Sequence, residues 1–412
     1  MGDREHDRSR REKRIRHTAE RIARREGHRV ARLPKGGSAT AFPLTYLRTG
    51  PRGRTPVVMI PGGPGLASAV PYRSLRALAA REGLDVLMVE HRGIGLSRRD
   101  ERGVDLPRAA VTVVEAVDDI AAALDHAGVS QAVIYGSSYG SCLAQGFGVR
   151  HPDRVASMVL DSPMWSVEQD LATVRDYRRK LFLGNDTRAD RGLSEVVRRA
   201  WASDLPGDEV TDIVQIVYEF AGPDVLRDLL EARLRGRLRR TWAAVCRLAR
   251  AEAENPYVPY CFEADLVEDI MYRELGFGLP PDGEPLDPQV LFAKTGPHPE
   301  FSGEPFDFPR RVREFTWPIA VLSGERDLRT PPPIADRIAA TVPTATVVPV
   351  AGMGHSALDT HQYVAVRVAA AMTDGAHGSL GAMVPVLSRL PRKGGPNVLG
   401  RLVATAVVLG GR

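Results

Sequence analysis

Short runs of consecutive apolar residues alternate with amphipathic stretches along most of the chain. Runs bounded by glycine, proline or polar residues are typical of buried strands, and they fall at Val57–Ile60, Val86–Val89, Ala132–Tyr135, Met158–Leu160, Ile319–Leu322 and Thr346–Val350. Helical patterns lie between them, at Tyr72–Ala80, Val114–Ala127, Ser141–Arg150, Ile334–Ala340 and Thr360–Met372. Strands that alternate with helices predict an α/β fold with a mostly parallel sheet and helices on both faces.

The alternation stops in the middle of the chain, where helix-forming and charged residues replace the apolar runs. We interpret residues 165–315 as a helical cap inserted into one α/β domain, because strands and helices alternate again after this segment. The two parts of that domain are then residues 33–164 and 316–373. Residues 1–32 form a basic N-terminal arm, and residues 374–412 form a tail with no predicted place in the sheet.

Charge is unevenly distributed. The chain has 412 residues and a net charge of +5, and many of its arginines lie in residues 1–32. Basic segments can bind nucleic acid or another anionic partner. Acidic residues interrupt this segment, however, so we favour a solvated helix followed by a strand-like run at Arg29–Leu33. No nucleic-acid partner is therefore predicted.

Several classes of protein receive no support from the sequence. The three cysteines, Cys142, Cys246 and Cys261, form no disulfide framework, which favours a reducing compartment. The charged N-terminus does not resemble a signal peptide, and no apolar run reaches membrane-spanning length. There is no C-x-x-C or H-E-x-x-H spacing, so no metal site or cofactor is implied. We therefore expect a cytoplasmic protein without a membrane span.

One pentapeptide follows a predicted strand and begins a predicted helix. Gly136-Ser137-Ser138-Tyr139-Gly140 fits the pattern G-x-S-x-G, in which two glycines allow a sharp turn that exposes the serine. We therefore predict an α/β-hydrolase fold with Ser138 as its nucleophile. Ser137 is the weaker candidate because no glycine lies two residues before it.

A serine hydroxyl needs a neighbouring base to act as a nucleophile at neutral pH. His355 follows the last predicted strand, and Asp327 follows the strand before it. The order Ser, Asp, His along the chain is the one that this fold uses for a catalytic triad. We predict His355 as general base and Asp327 as the acid that orients it. Glu325 is a rival acid, Asp327 could instead cap the helix after Pro331, and His361 lies inside the next predicted helix.

An acyl-transfer site also needs N–H donors for the oxyanion. The first predicted donor is the backbone N–H of Tyr139, directly after the nucleophile. The second is Gly63, in the turn Pro61-Gly62-Gly63-Pro64-Gly65 after a buried strand. Glycine lets the backbone approach a reacting carbonyl closely. The alternative is a tight turn without a catalytic role.

Three segments together resemble the proline iminopeptidases, also called prolyl aminopeptidases. They are Pro61-Gly62-Gly63-Pro64-Gly65, Glu90-His91-Arg92-Gly93-Ile94-Gly95-Leu96-Ser97 and Gly136-Ser137-Ser138-Tyr139-Gly140-Ser141. His151-Pro152-Asp153-Arg154-Val155 also matches the stretch that follows the elbow helix in that family. The resemblance covers residues 57–163 well and the predicted cap poorly. The sequence departs from the family pattern at Pro61, where the family has histidine, and at Glu90, where it usually has aspartate.

The resemblance implies a serine aminopeptidase that releases an N-terminal residue, often proline, from short peptides through an acyl-enzyme. Such an enzyme must recognise a free amino group, and by resemblance a cap glutamate would pair with it. Glu268, in the acidic stretch Cys261–Tyr272, is our candidate, and a solvated acidic helix face is the favoured alternative for any single residue of this stretch. The same scaffold also suits a carboxylesterase, thioesterase or other small-molecule hydrolase, or a non-enzymatic binding protein.

Overall fold

The computed structural model describes residues 2–35, 40–184, 191–253, 257–294 and 297–411. The positions outside the described residues are Met1, 36–39, 185–190, 254–256, 295–296 and Arg412. They fall in the predicted arm, in the first part of the core, in the cap and in the tail.

One eight-stranded sheet forms the centre of the molecule. Its strands are β1 Gly27–Arg32, β2 Phe42–Thr49, β3 Val57–Ile60, β4 Val86–Val89, β5 Ala132–Ser137, β6 Val155–Asp161, β7 Ile319–Gly324 and β8 Ala345–Val350. Their spatial order is β1-β2-β4-β3-β5-β6-β7-β8. The pairings of β2 with β1 and β4 are antiparallel, and all the others are parallel. The predicted mostly parallel sheet is confirmed.

The described helices pack on both sides of this sheet and in the segment between β6 and β7. They are α1 Gly2–Glu26, α2 Arg73–Arg81, α3 Val113–His126, α4 Tyr139–Arg150, α5 Val167–Phe182, α6 Arg191–Trp201, α7 Gly207–Phe220, α8 Pro223–Leu234, α9 Arg239–Ala253, α10 Gln289–Phe292, α11 Phe308–Arg311, α12 Pro332–Thr341, α13 Ala357–Thr360, α14 Gln362–Thr373, α15 Leu380–Leu387 and α16 Pro396–Gly411. None of them combines the length and apolar character needed to cross a membrane.

The central strands are buried on both faces because side chains alternate along a strand. In β3, Val58 and Ile60 join the core cluster that contains residues of α3, α4 and α12. Val57 and Met59 point the other way, into a cluster with residues of α2, α14 and α15. Burial on both faces explains why these strands read as uninterrupted apolar runs.

Helices α5 to α11 lie between β6 and β7, in the segment predicted as the cap. Helices α5 to α9 have a hydrophobic cluster of their own, separate from the two clusters that flank the sheet. Two residues of the C-terminal helix α16, Val403 and Val407, are buried in this cluster. The tail therefore packs against the helices between β6 and β7, a position that its sequence did not indicate.

The sheet begins within the segment predicted as the basic arm. Strand β1 pairs along its whole length with β2, so residues 27–32 are an edge strand. Ile22 of helix α1 is buried beside Leu47 of β2. Edge strands bury only part of their surface, and the mixed polar pattern of β1 carries a weak strand signal for that reason.

A buried ion-pair cluster connects β1, the loop after β4 and helix α3. The fully buried Arg92 donates two hydrogen bonds of 2.7 Å to the carboxylate of Asp119. Arg32 of β1 donates to the same carboxylate at 2.8 Å, and Glu115 lies 3.0 Å from Arg92. A buried guanidinium that loses its carboxylate is strongly destabilising.

We expect Asp119→Ala to lower the free energy of unfolding by about 3 kcal/mol, because it leaves Arg92 buried without its main partner. Asp125→Ala on the same helix is the control: Asp125 is 67% exposed in its pair with Arg154, so its loss should cost less than about 1 kcal/mol. Denaturant titration measures both values. Equal losses in the two variants would contradict the assigned importance of the buried pair.

Candidate active site

Ser138 lies at a sharp turn between β5 and α4. Its backbone has φ 53° and ψ −122°, a conformation that non-glycine residues rarely adopt. A Cβ on Gly136 would lie 2.1 Å from the carbonyl oxygen of Gly140, and a Cβ on Gly140 would lie 2.3 Å from that of Ile60. Both glycines of the G-x-S-x-G pattern are thus required by close backbone contacts.

The structure brings together the three side chains predicted as a triad. Nε2 of His355 lies 2.8 Å from Oγ of Ser138, and Nδ1 of His355 lies 3.0 Å from Oδ2 of Asp327. An ionised carboxylate can only accept hydrogen bonds. Nδ1 must therefore carry the proton, which leaves Nε2 free to accept the hydroxyl proton of Ser138.

Asp327 is fully buried at the end of β7. Its carboxylate also accepts hydrogen bonds from the N–H groups of Arg329 and Thr330 at 2.9 Å and from the Thr330 hydroxyl at 3.0 Å. Burial opposes the charge on Asp327, but His355 and these donors outweigh it, so the pKa of the carboxyl is lowered. Burial likewise opposes an imidazolium, yet the charge of Asp327 outweighs it and raises the pKa of His355.

The alternative candidates for nucleophile, acid and base form hydrogen bonds with other residues. The buried Ser137 hydroxyl donates to Oγ of Ser356 at 2.8 Å. Glu325 accepts the N–H of Gly352 at 2.7 Å. His361 is 5% exposed, and its Nδ1 lies 2.9 Å from the hydroxyl of Thr360.

The turn after β3 lies against the serine. A Cβ on Gly62 would be 3.1 Å from Cβ of Ser138 and 3.7 Å from its Oγ, so the backbone of Gly62 lies directly beside the hydroxyl. Gly63, the predicted donor, follows with φ 118°. Neither glycine N–H donates to another group in the described part of the chain. Tyr139 begins helix α4, where the first N–H groups have no partner within the helix.

A histidine that the sequence analysis left without a role fixes the side chain of Tyr139. Nδ1 of His91 lies 2.6 Å from the carbonyl oxygen of Arg92, so this nitrogen donates. Nε2 must then accept the hydroxyl proton of Tyr139, 2.9 Å away. Burial lowers the pKa of His91 to about 4, which keeps the ring neutral. In the sequence, His91 is marked by its position two residues after strand β4 and by the family-like segment Glu90–Ser97.

Glu90, one of the two departures from the family pattern, is fully buried behind the glycine turn. Its carboxylate accepts the N–H groups of Ser68, Ala69 and Leu96. Burial raises the pKa of Glu90 to about 7 against the effect of these hydrogen bonds. The side chain holds the segment that continues the glycine turn, and it does not contact the triad.

The acidic stretch predicted to supply Glu268 packs beside the glycine turn. Glu268 is partly exposed and forms an ion pair with Arg108. Glu263, by contrast, is 1% exposed, and its carboxylate accepts the N–H groups of Gly95 and Tyr260 at 2.8 and 2.7 Å. Among the described contacts, neither glutamate reaches Ser138, His355 or Asp327.

Helix α7 supplies a carboxylate that the sequence did not identify. Glu219 is buried, and it accepts the N–H of Leu328 at 3.0 Å and Nε of Arg329 at 3.1 Å. Arg178 of α5 donates to the carbonyl oxygen of Leu328 at 2.9 Å. The peptide groups directly after Asp327 are therefore held by two helices of the inserted segment. Contacts between residues more than 100 positions apart leave no pattern in a sequence.

The fold and the arrangement of these side chains define the class of protein: the chain has the α/β-hydrolase fold, as predicted. A family model described as α/β hydrolase fold matches residues 55–204. A proline iminopeptidase from Arabidopsis thaliana is 32% identical over 108 residues, which is 26% of this chain and 26% of that protein.

Solved structures of similar fold include two named enzymes. The proline iminopeptidase of Mycobacterium smegmatis is 17% identical with a TM-score of 0.49, and the match covers 85% of this chain and 100% of that one. An esterase from a Rhodococcus species is 17% identical with a TM-score of 0.45, and the match covers 87% of this chain and 99% of that one. At such identities the likeness concerns the fold alone.

We expect Glu219→Gln to lower the pKa of His355. The charge of Glu219 raises the pKa of His355, and the charge of Arg329, which pairs with Glu219, lowers it. Glutamine keeps an oxygen that can accept the N–H of Leu328, so the loop geometry should be preserved. NMR titration of the histidine ring protons measures the pKa, with the resonance of His355 assigned from His355→Asn.

Glu231→Gln, a change on the exposed side of helix α8, is the control and should leave the pKa of His355 unchanged. An equal pKa in wild type and Glu219→Gln would show that Glu219 does not act on His355 through its charge.

Proposed function

We propose that this protein is a serine hydrolase that acts through an acyl-enzyme, with Ser138 as nucleophile, His355 as general base and Asp327 as the acid that orients it. The continuous hydrogen-bonded chain from Oγ of Ser138 to the carboxylate of Asp327 carries the proposal. A hydroxyl that already donates to a neutral imidazole needs little rearrangement to attack a carbonyl.

In this mechanism His355 takes the proton of Ser138 as Oγ attacks the substrate carbonyl carbon. Asp327 stabilises the imidazolium that forms and fixes the tautomer of the ring. His355 then gives the proton to the leaving group as the tetrahedral intermediate collapses to the acyl-enzyme. Water, activated by the same imidazole, attacks the acyl-enzyme and releases the acid.

The N–H of Tyr139 and the N–H groups of the Gly62-Gly63 turn are the proposed oxyanion donors. Preorganised donors of this kind contribute about 3–4 kcal/mol each to stabilisation of the transition state. Gly63 remains our choice for the second donor, with Gly62 as the residue in direct contact with Ser138. His91 supports the site indirectly, since its bond to the hydroxyl of Tyr139 fixes that side chain next to the nucleophile.

The substrate class that we propose is a short peptide or amino-acid amide with a free N-terminus. The glycine turn, the elbow and the short identity to a proline iminopeptidase support it. Recognition of an ammonium group requires an unpaired carboxylate near the elbow helix. Glu274 meets this description better than Glu268: it accepts the N–H of Val113 at 2.8 Å and has no ion-pair partner among the described residues.

Glu274 also affects the elbow helix through its charge. Burial is the main cause of the raised pKa of the Cys142 thiol, and the carboxylate of Glu274 raises it further. The same two effects raise the pKa of Tyr139, although Cys142 contributes there as well. The carboxylate of Glu274 therefore acts electrostatically on the first turn of α4, directly after Ser138.

A carboxylesterase or thioesterase is the second candidate. The ion pair between Glu268 and Arg108 favours it, because that pair removes the predicted carboxylate from recognition of an amine. The fold and the triad are the same in both cases, so only the substrate separates them.

We expect the purified protein to hydrolyse prolyl and alanyl anilides, and Ser138→Ala to lose this activity by at least about a thousandfold. A fluorophosphonate probe should label the wild type and not the variant. Turnover of acyl esters alone would assign the protein to the second candidate. Failure of the probe to label Ser138 would contradict the whole proposal and favour a binding protein.

We expect Glu274→Gln to raise KM for anilides with a free amine about tenfold, equivalent to about 1.4 kcal/mol of lost ammonium binding. A neutral acyl ester should be hydrolysed as by the wild type, which separates recognition from chemistry. Glu268→Gln is the matched comparison and should change little. The opposite result, a high KM in Glu268→Gln alone, would restore the sequence-based prediction for Glu268.

A further inference from the structure

Arginine side chains converge where the C-terminal tail crosses the end of helix α7, away from the groups that contact Ser138. Arg392 lies between α15 and α16, and Arg401 lies in α16. Together with Asn397 they line a cavity of about 240 Å³ whose opposite wall is the end of α7 at Phe220 and Ala221. Since one water molecule occupies about 30 Å³ in the liquid, the cavity has room for a small hydrated ion.

A third arginine approaches the same place from the acid loop. Arg326 directly precedes Asp327, and its Nη2 would lie 3.8 Å from a Cβ on Gly352. Nη2 of Arg392 would lie 2.8 Å from the same atom, so the two guanidinium groups lie on one side of this glycine. We call Arg326, Arg392 and Arg401 the arginine cluster.

No carboxylate among the described residues pairs with the arginine cluster. Within the described ranges, none of its three members forms an ion pair. Glu325 is the neighbour of Arg326 in sequence, but its carboxylate accepts the N–H of Gly352 and does not pair with a guanidinium. Like charges thus lie close together without a paired counter-charge in the part of the chain that the structure describes, which is unfavourable.

The effects of this positive charge are visible on its neighbours. Burial lowers the pKa of Arg392, and Arg326 lowers it further. Burial also lowers the pKa of His361 to about 4, with added contributions from Arg392 and Arg326 and none from a carboxylate. A neutral His361 fits beside the cluster, whereas an imidazolium there would add a further positive charge.

We propose that the arginine cluster and its cavity bind a multivalent oxyanion, of which inorganic phosphate is the simplest. Guanidinium groups match phosphate and carboxylate oxygens in paired hydrogen bonds, and two of them line the same cavity. The bound anion would connect the tail, the end of α7 and the loop that carries Asp327. This proposal is independent of the hydrolase activity, because it needs no reaction at Ser138.

Thermal unfolding of the full chain tests the site. In phosphate-free buffer at constant ionic strength, replacement of chloride by phosphate should raise the Tm saturably, by about 2 °C at a tenfold excess over Kd. Succinate in place of phosphate distinguishes a carboxylate ligand from a phosphate. Saturation by either anion supports the oxyanion site, whereas an equal response to chloride, phosphate and succinate would overturn it.

Arg392→Gln identifies the site. The substitution should raise the Kd for phosphate about tenfold. It should leave the Tm in phosphate-free buffer unchanged or raised, because the repulsion between Arg326 and Arg392 is relieved. Arg389→Gln, an exposed arginine of the same tail, is the matched control and should respond to the anion as the wild type does. Two results for Arg392→Gln would contradict the proposal: a phosphate-induced rise in Tm equal to that of the wild type, or a Tm below that of the wild type both with and without phosphate.

Discussion

The close approach of backbone segments around Ser138 is the constraint on which the site depends. The chain leaves β5 and enters α4 within one residue, and Ser138 adopts a strained positive φ at that point. Gly140 lies against the carbonyl of Ile60, so the elbow and the end of β3 cannot move independently. The contact of Gly62 with Ser138 follows from the same geometry, because the turn after β3 begins next to the residues that Gly140 contacts.

A buried carboxylate then places the histidine loop relative to the elbow. The main-chain carbonyl of Asp161 accepts the N–H of Ser138 at 2.9 Å. Its side chain accepts the N–H groups of Ala357 and Leu358 at 2.9 and 3.0 Å, two and three residues after His355. Burial raises the pKa of Asp161 to about 6, while these hydrogen bonds lower it. Burying the carboxylate is unfavourable, and its hydrogen bonds to the histidine loop offset part of that free energy. One residue of β6 thus connects the elbow to the loop that carries His355.

The parts of this structure that the sequence predicted are those with local causes. A buried strand followed by G-x-S-x-G needs only neighbouring residues to define it, and Asp327 and His355 could be located because parallel strands end at one edge of a sheet. Glu219 could not be found in this way, since its partner loop lies 109 positions away and α7 otherwise has the pattern of any amphipathic helix. Glu268 was chosen from the acidic stretch Cys261–Tyr272 because the family resemblance implies a cap glutamate, and neither feature reveals its ion pair with Arg108.

The helices between β6 and β7 and the C-terminal tail contribute to the arrangement of Ser138, Asp327 and His355. Glu219 accepts the N–H of Leu328, and Arg178 donates to the carbonyl oxygen of the same residue. The backbone oxygen of Glu219 lies close to Gly354, which precedes His355. A shift of α7 would therefore move the loops of both the acid and the base. Because α16 packs against the end of that helix through Gly400, the position of the tail can affect the geometry at Ser138 without any direct contact.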